Sequence, residues 1–391
     1  MKGISFLLIP LYTSVLTPEE YGQLELLNGM GNILSIILSF GMTTYLTVEY
    51  YHLIGKSKME FIRDVISTYL YFGLMFWIFL SFNILIFKSK LLSDDVSLLT
   101  VFIALVISYL TFFQNAFFSI LQIKKQAIKL TLYRVAIGVL TAVINIFFVY
   151  YIRIGILGIF LANFIMLAAS LVFAFDEYFK KVDRKLFNFN LSKYLNLIKA
   201  SLPYVGGTLA YWTLSGVDRW FILNYLGERE VGIYAAAYKL SSFYEALLIS
   251  PIVAVYTPYI FERFSKGTFD QNFKIVVPFV VILFIGLGFA TKWIGGFMLN
   301  ASYHEALQYI PFLTIAFGFF FLCQITASKL VYSKNAKLLL LNIVTASVIN
   351  IILNFFLILK YGLYGATFAF VISNLIWLLI TFYQIRTLKK I

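Results

Sequence analysis

The chain is 391 residues long, 61% hydrophobic and 19% aromatic, with only 13% charged residues. A soluble domain has too little interior to hide that much apolar surface, so the composition excludes a soluble globular protein and makes this an integral membrane chain. The formal charge of +13 does not point to nucleic acid, because Lys and Arg are scattered through short gaps between apolar runs and form neither a stripe nor a tail.

A helix needs about 20 apolar residues to cross about 30 Å of hydrocarbon. Runs of that kind predict twelve helices, all-α, near residues 2–16, 24–53, 65–87, 97–122, 131–152, 154–177, 200–226, 231–261, 273–299, 304–331, 337–359 and 362–384. The first run is short: at 1.5 Å per residue it reaches about 22 Å, so about a dozen upstream residues are expected to complete it. Between the sixth and seventh runs lies the longest hydrophilic connection, FKKVDRKLFNFNLSKY at Phe179 to Tyr194. It reads either as an amphipathic linker on anionic lipid or as a plain charged loop. The expected organisation is therefore a six-helix lobe over 1–178, a linker over 179–196 and a second lobe over 197–391.

Short cytoplasmic loops retain cations. With the N-terminus inside, 21 of the 31 Lys and Arg residues fall in inside segments and six in outside ones, which predicts cytoplasmic termini. Four remain inside predicted spans: Arg134, Arg219, Lys239 and Lys329. One cysteine, Cys323, and two separated histidines, His52 and His304, give neither an intramolecular disulfide nor a thiolate metal site.

The chain repeats itself. LTPEEYG at Leu16–Gly22 has the layout of LGEREVG at Leu226–Gly232, 210 residues on, and GILGIFLANFI from Gly155 resembles GLYGATFAFVI from Gly362, 207 residues on. Six helices per copy put both in the same orientation, the parallel-repeat plan of transporters that bind substrate between their halves.

The opening KGISFLLIPLYTSVLTPEEYG, the stretch VDRWFILNYLGEREVGIYAAAYKL and the segment VINIILNFFLILKYGLYGATFAFVIS together resemble the polysaccharide transporter family, the O-antigen and capsule repeat-unit flippases of the multidrug, oligosaccharidyl-lipid and polysaccharide exporter superfamily. The resemblance covers essentially the whole chain. It implies two six-helix lobes in a V with alternating access around a polar cavity, in the cytoplasmic (inner) membrane. It also implies a substrate of oligosaccharide on undecaprenyl pyrophosphate moved to the outer leaflet, with a polysaccharide polymerase and chain-length proteins as partners. The departure from the family pattern is the short N-terminus.

Arginine facing lipid costs about 2.5–3.5 kcal/mol or more, so Arg219 is expected to face protein or water. Arg219 and Lys239, at similar depth on successive helices, read as cavity cations for a pyrophosphate or acidic sugar, a guanidinium being a bidentate phosphate partner. The plainer reading of Arg219 is an ion pair with Asp218, whose side chain starts about 100° round the helix, or with another helix. On the cavity reading, removing either cation strands no partner. Glu25 and Glu245 are candidate proton or sodium sites or salt-bridge partners, and no cofactor is expected beyond such coupling. Tyr211 and Tyr238, with Tyr204, Trp212, Tyr234 and Tyr244, stack on sugars or simply pack. Arg134 and Lys329 snorkel. Asn145, Asn350 and Asn354 are expected to stitch helices together, while Gly155, Gly158, Gly362 and Gly365 let backbones approach.

Other functions are less well matched. A membrane polymerase or ligase carries a large outside loop for catalysis, absent from this pattern, and no acid/base, nucleophile or metal constellation is visible; the chain reads as a non-enzyme. A cation-coupled drug antiporter of the same superfamily is the closer rival.

Overall fold

The computed structural model describes residues 6–54, 57–88, 92, 96–174, 190–266 and 273–387. These residues are helical, with no strand among them. In chain order the helices are α1 (Ile9–Val15), α2 (Pro18–Leu38), α3 (Met42–Glu49), α4 (Ser57–Thr68), α5 (Leu74–Ile86), α6 (Leu98–Ile123), α7 (Ala127–Ile146), α8 (Gly155–Ala174), α9 (Leu191–Ser201), α10 (Pro203–Gly216), α11 (Asp218–Tyr225), α12 (Glu228–Tyr244), α13 (Ser250–Ser265), α14 (Phe273–Met298), α15 (Ile310–Tyr332), α16 (Ala336–Tyr361) and α17 (Leu363–Thr387). One-turn π segments at Tyr69–Gly73 and Glu245–Ile249 join α4 to α5 and α12 to α13, and a third, Phe147–Tyr151, extends α7.

Among the described residues nine helices are long and apolar enough to cross a membrane, ten if α2 and the segment from Met42 to His52, bent by 48°, form one broken span. On α14 the side chains of Ile282, Phe289, Trp293 and Phe297 are exposed, an apolar face that water does not tolerate and lipid does. The chain is a multi-pass membrane protein. Of the two remaining expected spans, the first is described only from residue 6 and contains α1, and the seventh is divided into α9, α10 and α11.

Each break in that seventh stretch has a local cause. Pro203 lacks the N–H that would continue the ladder past Leu202. At the second break the Ser215 carbonyl, four residues before Arg219, accepts from the Arg219 guanidinium (2.9 Å), while the Arg219 backbone N–H donates to the Asp218 carboxylate (2.9 Å). A side chain has replaced the backbone donor, and α10 ends there.

The described chain forms two compact units. The first holds Leu26–Leu209; the second holds Lys2–Glu25 with Ala210–Ile391, so the borders run through α2 and α10. In the first unit α6 packs on α8. Tyr69 is buried in a stack with Phe112 (3.6 Å between centroids), and its hydroxyl donates to the Tyr109 carbonyl (2.7 Å). In the second unit α15 is the central helix: 78% of its apolar window is buried, against 22% for α14, and it packs on α12, α14 and α17. The linker expected over 179–196 lies outside the described residues as far as residue 189; its end opens α9, whose first turn Asn190 caps by accepting from the Lys193 N–H (3.0 Å).

The repeat reappears as backbone conformation. Lys125 and Lys334, at equivalent turns, both have positive φ (58° and 57°), as do Gly155 and Gly362 (60° and 57°). Where α2 breaks before α3 in one copy, the other carries the Glu245–Ile249 π segment within a turn of the equivalent position. A Cβ on Gly155 or Gly362 would meet nothing within 4 Å, so these two supply left-handed turns and not the close approach expected of them. Gly365 does supply it, since a Cβ there would overlap the Leu357 carbonyl. The asparagines also behave differently from expectation. Asn145 and Asn354 donate to carbonyls one turn back on their own helices, Thr141 (3.0 Å) and Asn350 (2.9 Å), and among the described residues neither bonds to another helix. Arg134 is exposed on α7 with its guanidinium 5.1 Å from the Phe118 ring.

Candidate functional site

The second unit gathers most of the ionisable side chains singled out from the sequence. α11 begins with Asp218 and Arg219, 1% and 8% exposed, at the break just described. α12 runs alongside and carries Tyr234 and Tyr238 one turn apart on one face, with Lys239 next in sequence and about 100° further round the helix. The start of α2 supplies Tyr21, Gln23 and Glu25.

These elements approach closely because two glycines allow it. A Cβ on Gly22 would overlap the Glu228 carbonyl, and a Cβ on Gly232 would overlap the Pro18 carbonyl. Gly22 and Gly232, and Pro18 and Glu228, are each 210 positions apart, so the first turns of α2 and α12 cross by equivalent contacts in both directions, as in an isologous pair. Across the crossing the Gln23 side-chain amide donates to the Glu228 carboxylate (2.9 Å), and the Tyr303 hydroxyl donates to the Leu16 carbonyl (3.0 Å).

Four charges meet behind the crossing. Glu25 accepts from Lys239 and lies 3.8 Å from the Arg219 Nε. Arg219 Nη1 donates to Asp218 (3.1 Å), whose other oxygen accepts from the Tyr234 hydroxyl (2.6 Å). The Arg219 guanidinium also lies 4.6 Å from the Tyr238 ring centre, a cation–π distance. Two cations and two carboxylates cancel, so neither Arg219 nor Lys239 stands as an unpaired cation. The pairing of Arg219 with its sequence neighbour forms although the two residues start about 100° apart, because the helix break lets the guanidinium fold back over Asp218. The access is unequal: the Lys239 side chain is 28% exposed, those of Arg219 and Glu25 only 9% and 8%.

Glu245 and Tyr211 form a second pair, the Tyr211 hydroxyl donating to Glu245 (3.2 Å) from α10 to the π segment. Tyr244 is a packing residue, hydrogen-bonded to Thr291 (2.6 Å). Sequence reading missed Tyr21, Gln23 and the role of Tyr234. The signal for the first two was present in YGQLE, a polar pair in the first turns of an apolar helix; nothing local announced Tyr234. Among the described residues no group of three His, Cys, Asp or Glu side chains is placed to hold a metal ion.

Solved transporters share this fold. An inward-facing multidrug resistance MATE family transporter of the MOP superfamily matches with a TM-score of 0.75 at 14% identity, over 99% of this chain and 94% of that one. The lipid II flippase MurJ in an inward closed conformation matches at 0.79 and 15%, over 98% of this chain and 85% of that one. An outward-facing MATE transporter of the same superfamily matches at 0.59 and 18%, over 99% and 91%. Among curated proteins none matches. The model of a family described as polysaccharide biosynthesis protein matches residues 1–264, two thirds of the sequence, and the chain belongs to that family.

Proposed function

We propose that the protein is a flippase for lipid-linked oligosaccharide, carrying undecaprenyl-pyrophosphate repeat units from the inner to the outer leaflet of the cytoplasmic membrane for surface polysaccharide such as O-antigen or capsule. The observation that carries this reading is family membership: a polysaccharide biosynthesis protein built on the fold of membrane transporters has the lipid-borne saccharide as its natural cargo. Arg219 and Lys239 are then the cations that meet the pyrophosphate, Asp218 and Tyr234 hold Arg219 in place, and Tyr211 and Tyr238 offer ring faces to sugar. Glu25 and Glu245 are the carboxylates available for proton or sodium coupling. Polymerase and chain-length proteins are the partners that would consume the product.

A cation-coupled drug antiporter is the rival, and one assay separates them. In proteoliposomes loaded with fluorescent lipid-linked oligosaccharide, the flippase reading expects outer-leaflet exposure that depends on the protein and is lost in Arg219→Gln. Drug-driven proton or sodium flux without such exposure would establish the antiporter instead.

A further inference from the structure

Lys239 and Arg219 share one carboxylate, and that carboxylate sits on the crossing. Glu25 lies three residues beyond Gly22, under one helical turn, so a force that moves Glu25 acts directly on the contact of residues 18–22 with 228–232.

We propose that Glu25 is an internal counter-anion occupying a diphosphate-binding pair, Arg219 and Lys239, and that a diphosphate takes its place there and loosens the crossing of α2 with α12. The proposal rests on the flippase reading for the origin of the diphosphate, a lipid headgroup, although the chemistry is shared by free pyrophosphate.

Three further observations support it. With Glu25 in place the four charges cancel; with Glu25 displaced, the two cations that shared its carboxylate face a ligand carrying at least two negative charges, while Asp218 stays engaged by Tyr234 and by Arg219 Nη1. In a poorly hydrated site the two cations attract a more highly charged anion more strongly than they attract one carboxylate. Donor capacity is also left over. The Tyr21 hydroxyl is fully buried without a hydrogen-bond partner, on a ring 5.4 Å from the Lys239 ammonium, and Arg219 Nη2 makes no hydrogen bond among the described residues. A buried orphan hydroxyl is costly unless something fills it, and a phosphate oxygen is an acceptor of the right kind. Finally, Lys239 is the exposed member of the group, so an anion reaches it first and meets Glu25 as its competitor.

The test uses the full chain in nanodiscs with cysteines at Gln23 and Glu228, the residues bonded across the crossing, and a short bifunctional thiol reagent; the native Cys323 is buried. Crosslink yield is read with no anion, with sulfate, with inorganic pyrophosphate and with undecaprenyl pyrophosphate in the bilayer, and pyrophosphate affinity is measured calorimetrically. Pyrophosphate in either form is expected to lower the yield at least about two-fold where sulfate does not, and response to the lipid form at lower concentration identifies the headgroup as the ligand. Glu25→Gln is expected to show a low yield without anion and about ten-fold tighter pyrophosphate binding, because the competitor is gone. Glu25→Asp, which keeps the charge on a shorter arm, gives the same changes in smaller measure and serves if the Gln variant is unstable. Unchanged yield with both pyrophosphates, or equal or weaker binding in both Glu25 variants, overturns the proposal. A protein that moves lipid-linked oligosaccharide without these responses sinks the exchange alone; one that responds to inorganic pyrophosphate yet moves no lipid-linked sugar sinks the flippase reading alone.

Discussion

Gly22 and Gly232 each lie against the backbone carbonyl that begins the other's helix, Gly22 on Glu228 and Gly232 on Pro18. The contact leaves no room for a methyl group on either side. Gly22→Ala and Gly232→Ala are each expected to destabilise the protein by about 1–3 kcal/mol or more through forced separation of the helices. Gly286→Ala and Gly296→Ala, on α14 where a Cβ meets nothing, should instead be neutral or gain up to about 1 kcal/mol from helix propensity. Thermal melting in detergent ranks the four; equal melting points would show that the crossing is not tight.

Asp218 binds two partners at once. Tyr234→Phe removes a hydrogen bond to a charged group and should cost about 1.5–3 kcal/mol, whereas Asp218→Ala strands a buried guanidinium and should cost about 3–5 kcal/mol. Because the residues share one network, the double variant should fall short of the sum. A double-mutant cycle on unfolding free energies measures the shortfall, and strict additivity would mean the network is not formed.

On the cavity reading, Ala at Arg219 or Lys239 leaves the fold intact because no partner is stranded. The observed pairing reverses that expectation. Arg219→Ala deprives both Asp218 and Glu25 of a cation and should lower the yield of folded protein in the membrane; Lys239→Ala, at a more exposed site, should do so less. Arg219→Lys should restore the charge but not the separate nitrogens that face Glu25 (Nε) and hold Ser215 and Asp218 (Nη1) at once, and so recover transport only in part. Fluorescence size-exclusion profiles beside transport rates separate the two effects. Wild-type folding and transport in both Ala variants would remove these residues from the site.

Membrane sidedness is open to direct labelling. A cysteine near Arg184 and one near Glu228 are expected to react with impermeant reagents from opposite faces, cytoplasmic and outer respectively. The native Cys323 is fully buried and should stay silent, giving a clean background. Labelling of both from one face would overturn the twelve-span order.

The helices, their order and the doubling of the chain were legible in the sequence, because apolar run length is a local property that the bilayer reads directly. Turn chemistry was legible in part: the Gly155 and Gly362 positions were found, but their service as left-handed turns depends on φ, which spacing does not disclose. Counting residues along helices gave Arg219 and Lys239 a similar expected depth. It did not give their partners. Glu25 lies 214 residues from Lys239, and Tyr234 is 16 from Asp218 across a helix break; such pairings depend on which helices touch and at what rotation. Tertiary structure alone decided that the first turns of the chain pack with the last half, that two glycines bring them within reach, and that the four charges found there cancel. The sequence could price an arginine in the membrane, because that cost belongs to one residue and its solvent, but the relief of the cost belongs to neighbours that only folding brings together.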